Sequence, residues 1–126
     1  MIRYLIDADS SIYAMIDAAS PVNGRIAECA PGEICISVIS FAEIALGSQF
    51  DRPPPASLLD AFIDAIPLLP FDEAAARAYA LLPFKRARFD RLLAAHALSL
   101  GATVITNNES DFADVPGLKV ENWSRP

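Results

Sequence analysis

At 126 residues the chain is long enough for one domain with a sizeable core, and its net charge of −6 excludes a protein that coats nucleic acid by bulk attraction. Its hydrophobic fraction of 53 % is above the soluble average, yet no apolar run approaches a membrane span and the opening MIRYLID is too short for a secretory signal, so a cytoplasmic protein is expected. Cys29 and Cys35 are too few for a disulfide framework and lack a metal-binding spacing, which leaves buried free thiols as the expectation.

Residues 4–7 form a short apolar run ending in a carboxylate, and they read as a first strand. Ser10 and Ser11 are placed to cap a helix carrying Ile12, Met15 and Ile16 on one face, and residues 23–30 read as a second short helix. The β-branched content of residues 34–38 predicts a buried strand. A helix over 40–47 follows, with Ser40 as N-cap and Glu43 in capping-box position three residues on. The cluster Pro53-Pro54-Pro55 is a turn leading into a helix over 57–66. Residues 68–71 suggest another strand, Asp72 caps a helix over 73–82, and Pro83 closes it. A helix over 89–100 is stopped by Gly101. Residues 102–106 form a clear buried strand, and 118–120 a last edge strand anchored by Trp123.

Strands alternating with helices in one short domain imply a parallel sheet flanked by helices. Ligands then gather beyond the carboxyl ends of the strands, so Asp7 and the 106–108 loop are expected to lie together. The carboxylates fall at such positions. Asp7 and Asp9 follow the first strand, Glu43 lies in the helix after the second, Asp90 opens a long helix, and Asn107, Asn108 and Asp111 follow the last core strand. Hard oxygen ligands of this kind suit Mg2+ or Mn2+ in phosphodiester cleavage. Plainer roles stand beside each one. Glu43 could simply close a capping box, Asp90 could answer a helix dipole, and Asp111 could cap a turn. Asp7 is harder to explain structurally, because a strand-end carboxylate without a partner would be desolvated for nothing.

Four blocks, YLIDAD, SVISFAEIALG, FDRLLAAHAL and TNNESDFADVPGLKVENW, resemble in order those of VapC-type toxins of the PIN-domain superfamily, and they span essentially the whole chain. The resemblance implies a single PIN domain over 1–126, a three-layer α/β/α sandwich with a central parallel sheet, and an Mg2+- or Mn2+-dependent endoribonuclease leaving a 5′-phosphate and a 3′-hydroxyl. It assigns the metal to Asp7, Glu43 and Asp90. The family's fourth acid usually stands in T-x-D after the last core strand; here that position is Asn108, and Asp111 is the next acid in order. The first block usually reads D-x-N, and here the third position is Asp9. Asp111 is thus the candidate fourth catalytic acid, with Asp9, Thr106, Asn107 and Asn108 in support. The resemblance also implies a VapB-like antitoxin whose C-terminal segment wraps the toxin against the helices over 41–47 and 57–66, and a homodimer that becomes a heterotetramer or larger assembly with it.

Lys85, Arg86, Arg88 and Arg91 form a basic run beside Asp90, either a solvated helix rim or a set of RNA phosphate contacts. His96, six residues after Asp90, cannot share its helix face and reads as structural. Two alternatives remain open. LIDADS also resembles the D-x-D opening of haloacid-dehalogenase-like phosphatases, with Asp7 as nucleophile, although Glu43 stands where those enzymes need Ser or Thr. A degenerate PIN domain that only binds RNA or its antitoxin is the other.

Overall fold

The computed structural model describes residues 1–83 and 88–125. Five strands form one all-parallel sheet: β1 (Tyr4–Ile6), β2 (Ile34–Ser37), β3 (Leu68–Leu69), β4 (Thr103–Ile105) and β5 (Val120–Glu121), in the order β3-β2-β1-β4-β5. The helices are α1 (Ala8–Ile16), α2 (Pro21–Ala27), α3 (Val38–Gln49), α4 (Ala56–Ala65), α5 (Glu73–Ala80) and α6 (Arg88–Leu100), with a 3-10 turn at Glu109–Phe112.

Side chains alternate across a strand, so each central strand feeds two cores. Ile6, Ile34, Ile36 and Ile105 point to one face and pack with Val22, Ile44, Leu59 and Ile66 from α2, α3 and the α4 end. Leu5, Cys35 and Val104 point to the other, where Leu93, Ala94 and Ala97 of α6 meet Phe112 and Val115. α5 packs on α6. The expected three-layer sandwich is therefore what the alternation builds. The central strands are covered on both faces, which is why they are so rich in Ile and Val.

Several boundaries move for local reasons. α1 begins at Ala8, two residues before the expected serine caps, because the Asp7 carboxylate accepts from the Ser10 amide at 2.9 Å and caps the helix itself. Likewise α3 begins at Val38. Ser37, the last residue of β2, accepts from the Ile39 amide at 3.0 Å, while the Ser40 hydroxyl is buried without a hydrogen-bond partner among the described residues. The capping box of Ser40 and Glu43 therefore does not exist, and Glu43 sits fully inside the helix. The β-branched pair Val38-Ile39 reads as strand yet opens a helix, since the cap and tertiary packing outweigh β propensity.

Other expectations hold. Asp72 caps α5 through the Ala75 amide at 3.0 Å. Gly101, at φ +65°, ends α6 in a Schellman motif, with its own amide on the Leu98 carbonyl and that of Ala102 on Ala97. Trp123 is 2 % exposed, donates to Glu121 at 2.9 Å and meets the Tyr4 ring edge-on, so it does anchor β5. Cys29 and Cys35 are free thiols, Cys35 buried and Cys29 only half-buried. Among the described residues no helix is long and apolar enough to cross a membrane.

Candidate active site

The strand order places β1 between β2 and β4: the chain winds from β1 out through β2 to β3, then crosses back to β4 and β5 on the other side, and this reversal opens a crevice at the carboxyl end of β1. Asp7 stands there. Its backbone amide donates to Ile105 at the end of β4, and its side chain is almost fully buried. The carboxylate is not without partners, contrary to the sequence reading. It takes the Ser10 amide and a hydrogen bond from Thr106, whose Oγ1 in turn accepts from the Asn108 amide at 3.0 Å. Burial nevertheless outweighs these bonds and holds the Asp7 pKa above its ordinary value, with Asp9 adding repulsion.

A cleft of about 50 Å³ opens over this point, lined by Asp7, Asp9, Glu43, Asp90, Asn108 and Asp111. Thus β1, α1, α3, α6, the β4 end and the 3-10 turn each supply at least one polar group. Glu43 is pushed up to about 7 by burial and then by the charges of Asp90, Asp7 and Asp9. Asp90 is raised by burial, Asp111 and Asp9, with Arg91 opposing. Asp9 thus acts on all three expected metal ligands, whereas Asp111 acts on Asp90 alone. Asn108 donates from Nδ2 to Asp9 Oδ2 at 3.1 Å. Amide and acid are therefore directly paired at the two positions where this chain departs from the D-x-N and T-x-D patterns.

Asn107 lies apart from this group. Its Nδ2 reaches the Tyr13 hydroxyl at 3.4 Å, its Oδ1 is buried without a partner among the described residues, and it does not line the cleft. The basic run also divides. Lys85 and Arg86 lie outside the described residues, Arg88 is exposed at the start of α6, and Arg91 is turned inward. Arg91 is only 3 % exposed and forks onto Asp114 at 3.3 and 3.1 Å, so it is no exposed phosphate contact. This correction was partly readable from spacing: Arg91 shares a helix face with Ala94 and Ala95, three and four residues on, and both are buried. His96 is structural, as expected. Its Nδ1 is 2.8 Å from Ser37 Oγ and its ring meets Phe71 edge-on, and burial lowers its pKa. It ties α6 to the residue that caps α3, the helix carrying Glu43, a link no sequence spacing signals.

The polar side chains lining the cleft are five carboxylates and one amide, beside Ala8, Leu93 and Phe112 and without thiol, imidazole or cation, and a divalent cation would relieve the repulsion among the carboxylates. The donor set fits Mg2+ or Mn2+. Among the described residues no three acidic, histidine or cysteine side chains stand close enough to enclose one ion, so capture requires carboxylates to turn inward.

The model of the PIN domain matches residues 4–118. The chain belongs to the PIN domain family. A tRNA(fMet)-specific endonuclease VapC of Shigella flexneri is 29 % identical, with 98 % of this chain and all of that protein aligned. Among solved structures, a VapBC2 complex of Rickettsia felis bound to a fragment of its promoter DNA superposes with a TM-score of 0.85 at 27 % identity, over 98 % of this chain and 99 % of that one. A DNA-bound VapBC of Salmonella typhimurium gives 0.83 at 25 %, over the same shares. The PIN assignment leaves the phosphatase alternative without support.

Proposed function

We propose that this PIN domain is an endoribonuclease toxin of the VapC kind, with Mg2+ or Mn2+ held by Asp7, Glu43 and Asp90. The observation that carries this reading is the convergence of carboxylates from β1, α1, α3, α6 and the 3-10 turn on one small cleft at the sheet's switch point. When bound, a divalent ion polarises the scissile phosphate and makes water a better nucleophile.

The chain's own residues supply the preorganisation. Asp7 is fixed by the Ser10 amide and Thr106, so it does not reorganise when charge arrives. Glu43, its pKa pushed up to about 7 by burial and neighbouring carboxylates, would release its proton as a divalent cation enters. Asn108 holds Asp9 toward the cleft and Asp111 flanks Asp90, which supports a shared fourth corner with Asp9 the stronger partner. The proposed substrate is RNA, with transfer RNA the first candidate because relatives bear that specificity in their names.

A VapB-like antitoxin is the proposed partner, since the structural neighbours are VapBC complexes. Leu46 and Phe50 at the end of α3 and Leu58 on α4 are exposed apolar groups suited to it. A homodimer, and a heterotetramer or larger complex with the antitoxin, follow from the same likeness.

The test compares cleavage of bacterial tRNA by the native chain and by Asp7→Asn, with Mn2+ titrated into both. Asn retains helix-capping ability, so the variant should fold and lose at least about 100-fold in cleavage. Full activity in Asp7→Asn would overturn the assignment. A native chain that neither binds Mn2+ nor cuts RNA would instead be the degenerate domain that only binds.

A further inference from the structure

The carboxylate cleft is too small for a nucleotide at about 50 Å³, so any RNA chain must lie mostly outside it. Among the described residues a continuous way out runs along α3. Ala8, Asp9 and Glu43 also line an adjoining hollow of about 210 Å³, walled by Ile12, Ile44, Gly47 and Pro53 and ending at Arg52. Arg52 and Pro53 then border a third hollow of about 410 Å³ that runs along Ser48, Asp51 and Pro55. Among the described residues that line these three hollows, Arg52 is the single cation.

Its backbone is held while its charge is left over. The Arg52 amide donates to the Gly47 carbonyl at 2.8 Å, and the preceding Asp51 adopts φ +61° to turn the chain. The aliphatic stem lies over α3 where glycine leaves room, since a Cβ on Gly47 would meet Arg52 Cβ at 3.6 Å and Cδ at 3.8 Å. The next turn is tied down by the Ser48 hydroxyl on the Pro54 carbonyl. Yet no ion pair or side-chain hydrogen bond engages the guanidinium among the described residues, and Arg52 is exposed. A pre-positioned fork of donors at the end of an otherwise acidic and apolar trough matches a phosphate.

We propose that this trough, from Asp9 and Glu43 along α3 to Arg52, carries the RNA strand flanking the cleaved bond, and that Arg52 binds a phosphate of that flank. The apolar stretch of Ile12, Ile44 and Pro53 takes the intervening ribose or base. This assignment rests on the ribonuclease reading, and its test separates the two.

Cleavage of tRNA in Mn2+ is measured for the native chain, Arg52→Ala and Arg52→Lys, with RNA binding by each followed against salt on an oligoribonucleotide in buffer free of divalent metal. Arg52→Ala should raise KM about fivefold with kcat within about twofold, and lower the log–log salt slope of binding by roughly 0.7, one phosphate contact on a single strand. Arg52→Lys should recover most of the slope, and Mn2+ affinity should be unchanged in both. KM and slope equal to native in an active Arg52→Ala enzyme would overturn the proposal and leave the ribonuclease reading intact, the trough then falling to a protein segment. A fall in Mn2+ affinity would overturn it too, by making Arg52 part of the metal site's support. A native chain that binds the oligonucleotide through Arg52 yet cuts nothing would sustain the trough and sink the ribonuclease reading.

Discussion

Asp9 and Asn108 face each other across the cleft as acid and amide, joined by a 3.1 Å hydrogen bond. In the resembling family the acid is usually at the later position and the amide at the earlier, so the cleft keeps one charge in this pair and changes only which loop bears it. An amide cannot bring charge but can hold a carboxylate in place. Asp9→Asn should therefore weaken Mn2+ binding about tenfold, and the exchange Asp9→Asn with Asn108→Asp should restore most of it. Isothermal titration of Mn2+ reads both, and non-recovery in the double variant would show that the position of the charge matters more than its presence. The order of the carboxylates along the chain was legible in the sequence. This pairing was not, because the two residues are far apart in sequence and meet only when β1 and β4 lie side by side.

α6 does two jobs on two faces. Asp90 looks into the cleft, while Arg91, one residue on and a third of a turn round, is buried against the loop that follows the 3-10 turn. Its fork onto Asp114 ties α6 to the segment bearing Asp111. The guanidinium is almost wholly buried with its Nε unsatisfied among the described residues, so loss of its acid leaves a charge without compensation. Asp114 is half-exposed, which tempers the cost. Asp114→Ala should lose about 2 kcal/mol, read as a lower urea midpoint with an unchanged m-value. Wild-type stability in that variant would mean that the fork contributes nothing. Of the basic run, open from sequence between a solvated rim and a set of phosphate contacts, Arg88 is exposed at the start of α6 while Arg91 is buried.

At the scale of the molecule, the cleft gathers like charges from five elements, and folding brings them together against their repulsion. At Glu43, burial first and then the charges of Asp90, Asp7 and Asp9 push the pKa from 4.5 to about 7. A carboxyl group that is easier to protonate when folded stabilises the fold below pH 4.5, and that contribution is lost as pH rises toward 7. The metal-free protein should therefore be more stable near pH 5 than near pH 8 through this group. Glu43→Gln should raise Tm at pH 8 by more than at pH 5, on the order of 1 kcal/mol in the difference. Mn2+ should raise the native Tm at pH 8 and much less that of Glu43→Gln. Equal Tm changes at both pH values would show that the cleft is not strained by charge.

The parallel sheet, the two-faced core and the placing of Asp7, Asp90 and the 106–108 loop at strand or helix ends were determined by the sequence alone, because period and hydrophobic content act locally and repeat along the chain. The helix starts at Asp7 and Ser37, the inward turn of Arg91, the Ser37–His96 tie and the Asp9–Asn108 pair were decided only by the tertiary structure. Each depends on a partner brought in from another element, and burial settles which hydrogen bond or charge each side chain must satisfy.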